Sequence, residues 1–233
     1  MASWGTLDQL LFVVLPYLVC FLFFYVTIQR YRQTGFTYSS LSSQFLENRQ
    51  HFWGLVPFHY GILAVLTGHI IAFLFPRELL LWNSVPVRLY ILEISALIFA
   101  LLTLVGLISG ILRRVEVSKV RRVTTLADWI VYGQLLFQVI SGIYIAVFHP
   151  WGSAWFAGAV TPYLRSLLFF NPQIGYIAAL PLMAKLHIVS AFLLIGFFPF
   201  TRLVHILVVP NPYLWRRTQV VRWYRAPGTM PRS

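Results

Sequence analysis

The chain has 233 residues, of which 59% are hydrophobic and only 10% charged, and a formal net charge of +12. Soluble domains are about 25% charged, so this composition excludes an ordinary soluble fold and points to the lipid bilayer. The single cysteine, Cys20, excludes an internal disulfide or a CxxC metal site.

Five apolar stretches reach the roughly 20 residues that a helix needs to cross the hydrocarbon core. They fall near residues 10–28, 55–75, 89–112, 129–148 and 182–208. The first has neither the basic start nor the small-residue cleavage pattern of a secretory signal and is read as a retained helix. The expected fold is all-α, a single integral membrane bundle over residues 1–233 with five transmembrane helices and a basic tail at 209–233. Charge sets its orientation. Arg30, Arg32 and Arg49 lie between spans one and two, and Arg113, Arg114, Lys119, Arg121 and Arg122 between three and four. Arg202, Arg216, Arg217, Arg222, Arg225 and Arg232 end span five or follow it. Only Arg77, Arg88, Arg165 and Lys185 fall on the opposite side. Basic loops stay in the cytoplasm, which places the N-terminus outside and the C-terminus in the cytoplasm. The basic charge then serves lipid headgroups or a docking partner, and no nucleic acid is expected. In the tail, Trp215, Trp223 and Tyr224 interleave with arginines, a composition suited to a protein interface or to the aromatic belt of a membrane surface.

Six histidines are present. His51 and His149 fall at span edges, against headgroups or water. The other four lie within spans, where ionisable residues are rare and are functional candidates by default. His59 and His69 are in span two, His187 and His205 in span five. These spans run in opposite directions. If they are neighbours, His59 meets His205 near the cytoplasmic face and His69 meets His187 near the outer one. Each pair is what a six-coordinate b-type haem requires, with the porphyrin filling four iron positions and two neutral imidazoles the axial ones. Gly61 and Gly68 beside the ligands are expected to let a flat macrocycle approach the backbone. A transporter-like proton relay and histidines of purely structural use are the competing readings of the same four positions. The spacing is uneven. At about 1.5 Å per residue, His59 and His69 are roughly 15 Å apart along a helix, but His187 and His205 roughly 27 Å apart. Pro199 removes a backbone donor, so a kink is expected around residues 196–199.

The stretches "SSQFLENRQ" (42–50), "FHYGILAVLTGHIIAFLFP" (58–76), "TTLAD" (124–128) and "KLHIVSAFLLIGFFPFTRLVHILVVPNPYLWRRTQVVR" (185–222) closely resemble the membrane gamma subunit of respiratory nitrate reductase. The histidines in their local contexts, the FPFTR turn and the tail carry the likeness. The resemblance implies a multi-pass di-haem cytochrome b of the cytoplasmic (inner) membrane. Such a subunit oxidises membrane quinol near the outer haem. It passes the electrons through the inner haem to a cytoplasmic iron–sulfur subunit, and thence to a molybdenum subunit that reduces nitrate. The resemblance assigns His69 and His187 to the outer haem and His59 and His205 to the inner one. No nitrate chemistry is expected in this chain. Related di-haem subunits of sulfur or heterodisulfide complexes are the alternative within the same class.

The quinol site is expected beside the outer haem. Arg88 matches a family lysine implicated in quinol binding, and an ordinary interfacial anchor is the competing role. Glu93, one turn further into span three, either accepts a quinol proton or pairs with Lys185, and the ion pair is preferred. Gly68 is read as packing rather than quinol contact. Arg114, where the family has an arginine, and Arg202, one turn before His205, are expected to hold inner-haem propionates, with headgroup contact as their competing role. Thr125 and Asp128 of "TTLAD" read as a capping box. The stretch "SAWFAGAVTPYLRSLLFF" (153–170) is expected to roof the quinol pocket.

Overall fold

The computed structural model describes residues 5–33 and 49–207, with the side chains of 49–53 excluded. The predicted tail at 209–233 with its aromatic and arginine residues, the side chain of His51 and most of the "SSQFLENRQ" stretch lie outside the described residues. The elements in chain order are α1 (Thr6–Gln33), α2 (Arg49–Leu74), the short α3 (Pro76–Asn83), α4 (Pro86–Glu116), the short α5 (Ser118–Arg122), α6 (Leu126–Phe148), α7 (152–168) and α8 (Leu182–Phe197). Among the described residues no strand occurs. Five helices, α1, α2, α4, α6 and α8, are long and apolar enough to cross a bilayer. Their outward faces carry a continuous aliphatic and aromatic surface, including Phe21, Phe24, Leu63, Ile70, Ile91, Ile98 and Ile140, all exposed. Helices satisfy their own backbone donors and acceptors, so such a surface is compatible with lipid.

Glycines decide which helices approach most closely. A Cβ added at Gly106 on α4 would stand 2.4 Å from the Phe58 nitrogen and 2.7 Å from the Gly54 carbonyl oxygen. One added at Gly61 on α2 would stand 2.4 Å from Thr103 Oγ1 and 2.7 Å from the Phe99 carbonyl oxygen. The α2–α4 seam is thus backbone on backbone, the small-residue packing usual between membrane helices. The expectation that Gly61 faces a macrocycle is corrected: it faces α4. Because two residues turn a helix by about 200°, this seam directs His59 to the opposite side of α2.

Prolines shape the rest. Pro16 cannot donate to the Phe12 carbonyl four residues earlier, and the buried Tyr163 hydroxyl of α7 donates to it instead at 2.8 Å. Burial pushes the Tyr163 phenol above its ordinary range. A π-helical turn precedes this proline (Leu10–Val14), and another (Phe156–Val160) precedes Pro162. Along α7, Arg165 Nη2 donates to the Phe73 and Leu74 carbonyls at 2.8 and 3.1 Å, and Thr161 Oγ1 to Ala72 at 3.3 Å. These are C-terminal carbonyls of α2 that the helix itself leaves without donors. The predicted roof is therefore a helix bolted to the end of α2.

Span five breaks where Pro199 placed the expected kink. α8 ends at Phe197, short 3₁₀ turns follow at Phe198–Phe200 and Arg202–Ile206, and Thr201 between them is extended. The buried Thr201 hydroxyl donates to Phe198 and accepts from the Leu203 amide, while Arg30 of α1 donates to the Pro199 carbonyl. His205 is thus carried on a redirected 3₁₀ turn rather than on a continuous helix running to 208.

The predicted capping box is present at the start of α6. Thr125 Oγ1 accepts from the Asp128 amide at 3.3 Å, and the Thr125 amide donates to Asp128 Oδ2 at 2.8 Å. Thr125→Ala is expected to lower stability by about 1 kcal/mol and Thr125→Ser to restore it, measured by thermal unfolding in detergent.

Candidate functional site

The two helices that carry the four histidines, α2 and α8, are not among the closely packed pairs; α2 packs on α4, and α8 on α1 and α6. His59, His69 and His205 are exposed and His187 half-buried. In hydrocarbon an exposed imidazole needs a partner.

At the cytoplasm-predicted end, the His59 and His205 rings lie opposite one another with centres 6.3 Å apart and planes at 67°. Two imidazole nitrogens that would each lie about 2 Å from one metal ion require their rings to come this near. The observed separation fits that requirement. The protonation pattern fits as well. His59 Nδ1–H donates to the Leu55 carbonyl at 2.7 Å, and His205 Nδ1–H to the Arg202 carbonyl at 2.7 Å. Each Nε2 then keeps its lone pair, the arrangement in which ligating histidines are held by a backbone acceptor on the other nitrogen. Among the described residues no group of three or more His, Cys, Asp or Glu side chains could hold a bare metal ion. Two opposed imidazoles suit an iron already held by a macrocycle.

At the other end, His69 repeats the pattern, its Nδ1–H donating to the Val65 carbonyl at 2.9 Å. Its ring meets Phe156 of α7 edge-on, with centres 5.1 Å apart and planes at 87°. A Cβ at Gly68 would have no atom within 4 Å, so this glycine, expected to admit a macrocycle and to serve packing rather than quinol contact, leaves an open flank beside His69. His187 differs from the other three. It turns to α6, with Nδ1 2.8 Å from Ser141 Oγ and Nε2 3.0 Å from Gln138 Nε2.

The remaining predicted residues separate. Glu93 does not pair with Lys185. Its Oε1 accepts from the Ser153 amide at 2.9 Å and from the Ser153 hydroxyl at 2.5 Å, while Lys185 Nζ donates to the Ala178 carbonyl at 2.9 Å. Each group finds a partner at the end of a neighbouring element, so neither needs the other. Buried Asn83 completes the cluster by donating to Ser153 Oγ at 3.0 Å. Trp151, with φ of 66°, turns the chain in the left-handed region just before Ser153. Arg88 is exposed and lies over the Trp82 ring at 5.2 Å, a stacking suited to an interfacial anchor. Five residues along α4 separate Arg88 from Glu93 by roughly 140°, so the two do not share a face. Arg114 lies over Tyr132 at 4.5 Å, and its Nε is buried without a hydrogen-bond partner among the described residues. That orphaned donor fits an anionic group. Arg202 instead pairs with the buried Asp128, Nε to Oδ1 at 3.0 Å, and donates to the Val123 carbonyl at 2.8 Å, tying the break after α8 to the start of α6.

The sequence model of the nitrate reductase gamma subunit family matches residues 8–224. The chain belongs to the nitrate reductase gamma subunit family. It is 31% identical over 218 residues to the nitrate reductase gamma chain of Bacillus subtilis strain 168, covering 92% of this chain and 97% of that one. It is 30% identical over 223 residues to the respiratory nitrate reductase 2 gamma chain of Escherichia coli K12, covering 93% and 97%. A shorter likeness, 29% over 120 residues, links it to one chain of the dihydromethanophenazine:CoB--CoM heterodisulfide reductase of Methanosarcina thermophila, covering 51% of this chain and 39% of that one. As a member of the gamma subunit family with five spanning helices, the chain is a multi-pass membrane subunit of a nitrate reductase.

In this gamma subunit Gln138 and Ser141 carried no expectation from the sequence, and Ser153, Phe156 and Arg165 carried none beyond their place in the stretch 153–170 and the charge of Arg165. Gln134, Gln138 and Ser141 recur at helical spacing inside a span, a polar stripe as unusual there as the histidines. Ser153 and Phe156 carry no such mark, because only folding α7 onto α2 and α4 gives them partners.

Proposed function

We propose that this subunit oxidises a membrane quinol at the outer face and passes the electrons through two b-type haems to cytoplasmic iron–sulfur and molybdenum subunits that reduce nitrate. The observation that carries the proposal is the opposition of His59 and His205 at 6.3 Å with both Nδ1 protons directed to backbone carbonyls. His59 and His205 would hold the inner haem and His69 and His187 the outer one, with Arg114 beside an inner propionate. When bound, the haems supply one-electron stations at two depths. The end of the bundle bearing α3 and α7 is outside, in keeping with the basic residues at the opposite end.

The chain's own residues then do the following. Phe156 of α7 sets the His69 ring by packing edge-on against it. Gly68 leaves space on the same helix for a flat substrate or ring. Glu93, an acceptor already holding two donors from Ser153, takes a proton released from quinol and passes it outward. Arg88 anchors α4 at the interface over Trp82. Quinol gives two electrons and two protons and leaves as quinone. The electrons travel inward, and nitrate with two protons becomes nitrite and water on the partner subunit. Moving each electron across the membrane field involves about 2.3 kcal/mol per 100 mV, so the net reaction builds a proton-motive force. The heterodisulfide-type alternative rests on a likeness to about half of this chain, against nearly the whole chain for the nitrate reductase relatives.

The test is direct. In the purified complex without nitrate, a short-chain quinol should reduce a b-type absorption band, and nitrate should reoxidise it. A band that quinol leaves oxidised would exclude the quinol route. Glu93→Gln is expected to keep both haems but slow quinol-driven nitrate reduction by about 100-fold or more; an unchanged rate would remove Glu93 from the proton path.

A further inference from the structure

Three of the four histidines are oriented by their own chain segment. His59 and His69 each donate to the carbonyl four residues earlier, and His205 to the one three residues earlier. His187 alone is held by another helix. The Ser141 hydroxyl, 2% exposed, donates to the Gln138 carbonyl at 3.1 Å and so presents a lone pair to the His187 Nδ1 proton at 2.8 Å. Gln138 Nε2 donates to His187 Nε2 at 3.0 Å. With the Gln138 amide in this orientation, its Oε1 buried without a hydrogen-bond partner among the described residues, the proton falls on Nδ1 and the lone pair on Nε2, and the Gln138 bond is the one a metal ion would replace. Gly142 makes the contact possible, because a Cβ there would stand 3.2 Å from His187 Cε1.

We propose that Ser141 is the positioning residue of the outer haem ligand. It fixes the tautomer and ring plane of His187 from α6, whereas the inner ligands His59 and His205 take their Nδ1 acceptors from their own segments. The inference rests on the two-haem reading. Its chemistry is that of a partner on the far side of a ligating imidazole: accepting the Nδ1 proton raises the electron density at Nε2 and stabilises ferric iron. Removing the acceptor favours ferrous iron and raises the midpoint potential.

The experiment is an equilibrium redox titration of b-band absorbance in the intact complex, comparing wild type with Ser141→Ala and Ser141→Thr. The expected result is an upward shift of one midpoint with the other unchanged. Outer-haem affinity should weaken about tenfold, and Ser141→Thr should return both readouts. Should Ser141→Ala fail to assemble, Ser141→Cys, close in size and a weaker acceptor, is titrated in its place and judged by the same criteria. Two haems with both midpoints unmoved, or both moved equally, would overturn the role of Ser141. A wild-type complex with no b haem would overturn the underlying reading instead, so the two failures are distinguishable.

Discussion

His205→Ala is expected to remove one b haem per chain, leave the other in place, and lower quinol-driven nitrate reduction by at least about 100-fold. The expectation follows from the way the inner pair is built. His205 is delivered by the 3₁₀ turn after the Pro199 break, and that turn is held by Thr201, by Arg202 on Asp128 and by Arg30 on the Pro199 carbonyl. Those contacts do not use the imidazole, so truncating it leaves the backbone supported while removing one of the two side chains proposed to hold the inner haem. His59→Ala should give the same spectrum, since the two rings lie opposite one another at 6.3 Å. An artificial dye that reduces the cytoplasmic subunits directly should still drive nitrate reduction at the wild-type rate, showing that the lesion lies in the electron path. Haem extraction and the two assays check this together. Retention of both haems in either variant would count against the pairing.

The second large effect concerns assembly. Gly106→Ala places a Cβ where the Phe58 nitrogen and Gly54 carbonyl oxygen already stand, at 2.4 and 2.7 Å. Both are backbone atoms, so no rotamer change relieves the clash, and α2 must move from α4. Overpacking of this kind costs about 1–3 kcal/mol, and more where the backbone is rigid. Because α2 carries His59 and His69, the displacement should also lower haem occupancy at both levels. Gly133→Ala on α6, where a Cβ meets nothing within 4 Å, is the matched control and should be neutral or stabilising by up to about 1 kcal/mol. Thermal unfolding in detergent with haem absorbance as the probe distinguishes them. Equal melting of Gly106→Ala and wild type would mean that the α2–α4 seam is looser than described.

The sequence made the bundle legible because lipid imposes a coarse rule: twenty apolar residues form a helix, and five such stretches gave five helices. The break at Pro199 and the box at Thr125 and Asp128 were also readable, since each depends on neighbours along the chain. The meeting of His59 and His205 was expected from counting directions across the membrane with spans two and five as neighbours, and the rings meet although α2 and α8 are not a closely packed pair. Side-chain partnerships between distant segments were not legible. Nothing local to Gly61 says that it faces α4 rather than a cofactor; only the depth of the α2–α4 contact decides. Glu93 and Lys185 were paired by depth alone, but depth carries no azimuth, and each charge turned to a hydrogen bond at the end of an adjacent element. His187 could be placed at the depth of His69 from its position in the sequence. That Ser141 and Gln138 hold it depended on the rotation of α6, which composition does not encode.

The central claim is that iron joins α2 to the segment around α8 at two depths. The most direct measurement is haem content per gamma chain in the purified complex, read with the reduced-minus-oxidised spectrum. The account predicts two non-covalent b haems with low-spin, bis-imidazole spectra. A folded, assembled complex with no extractable haem would contradict it.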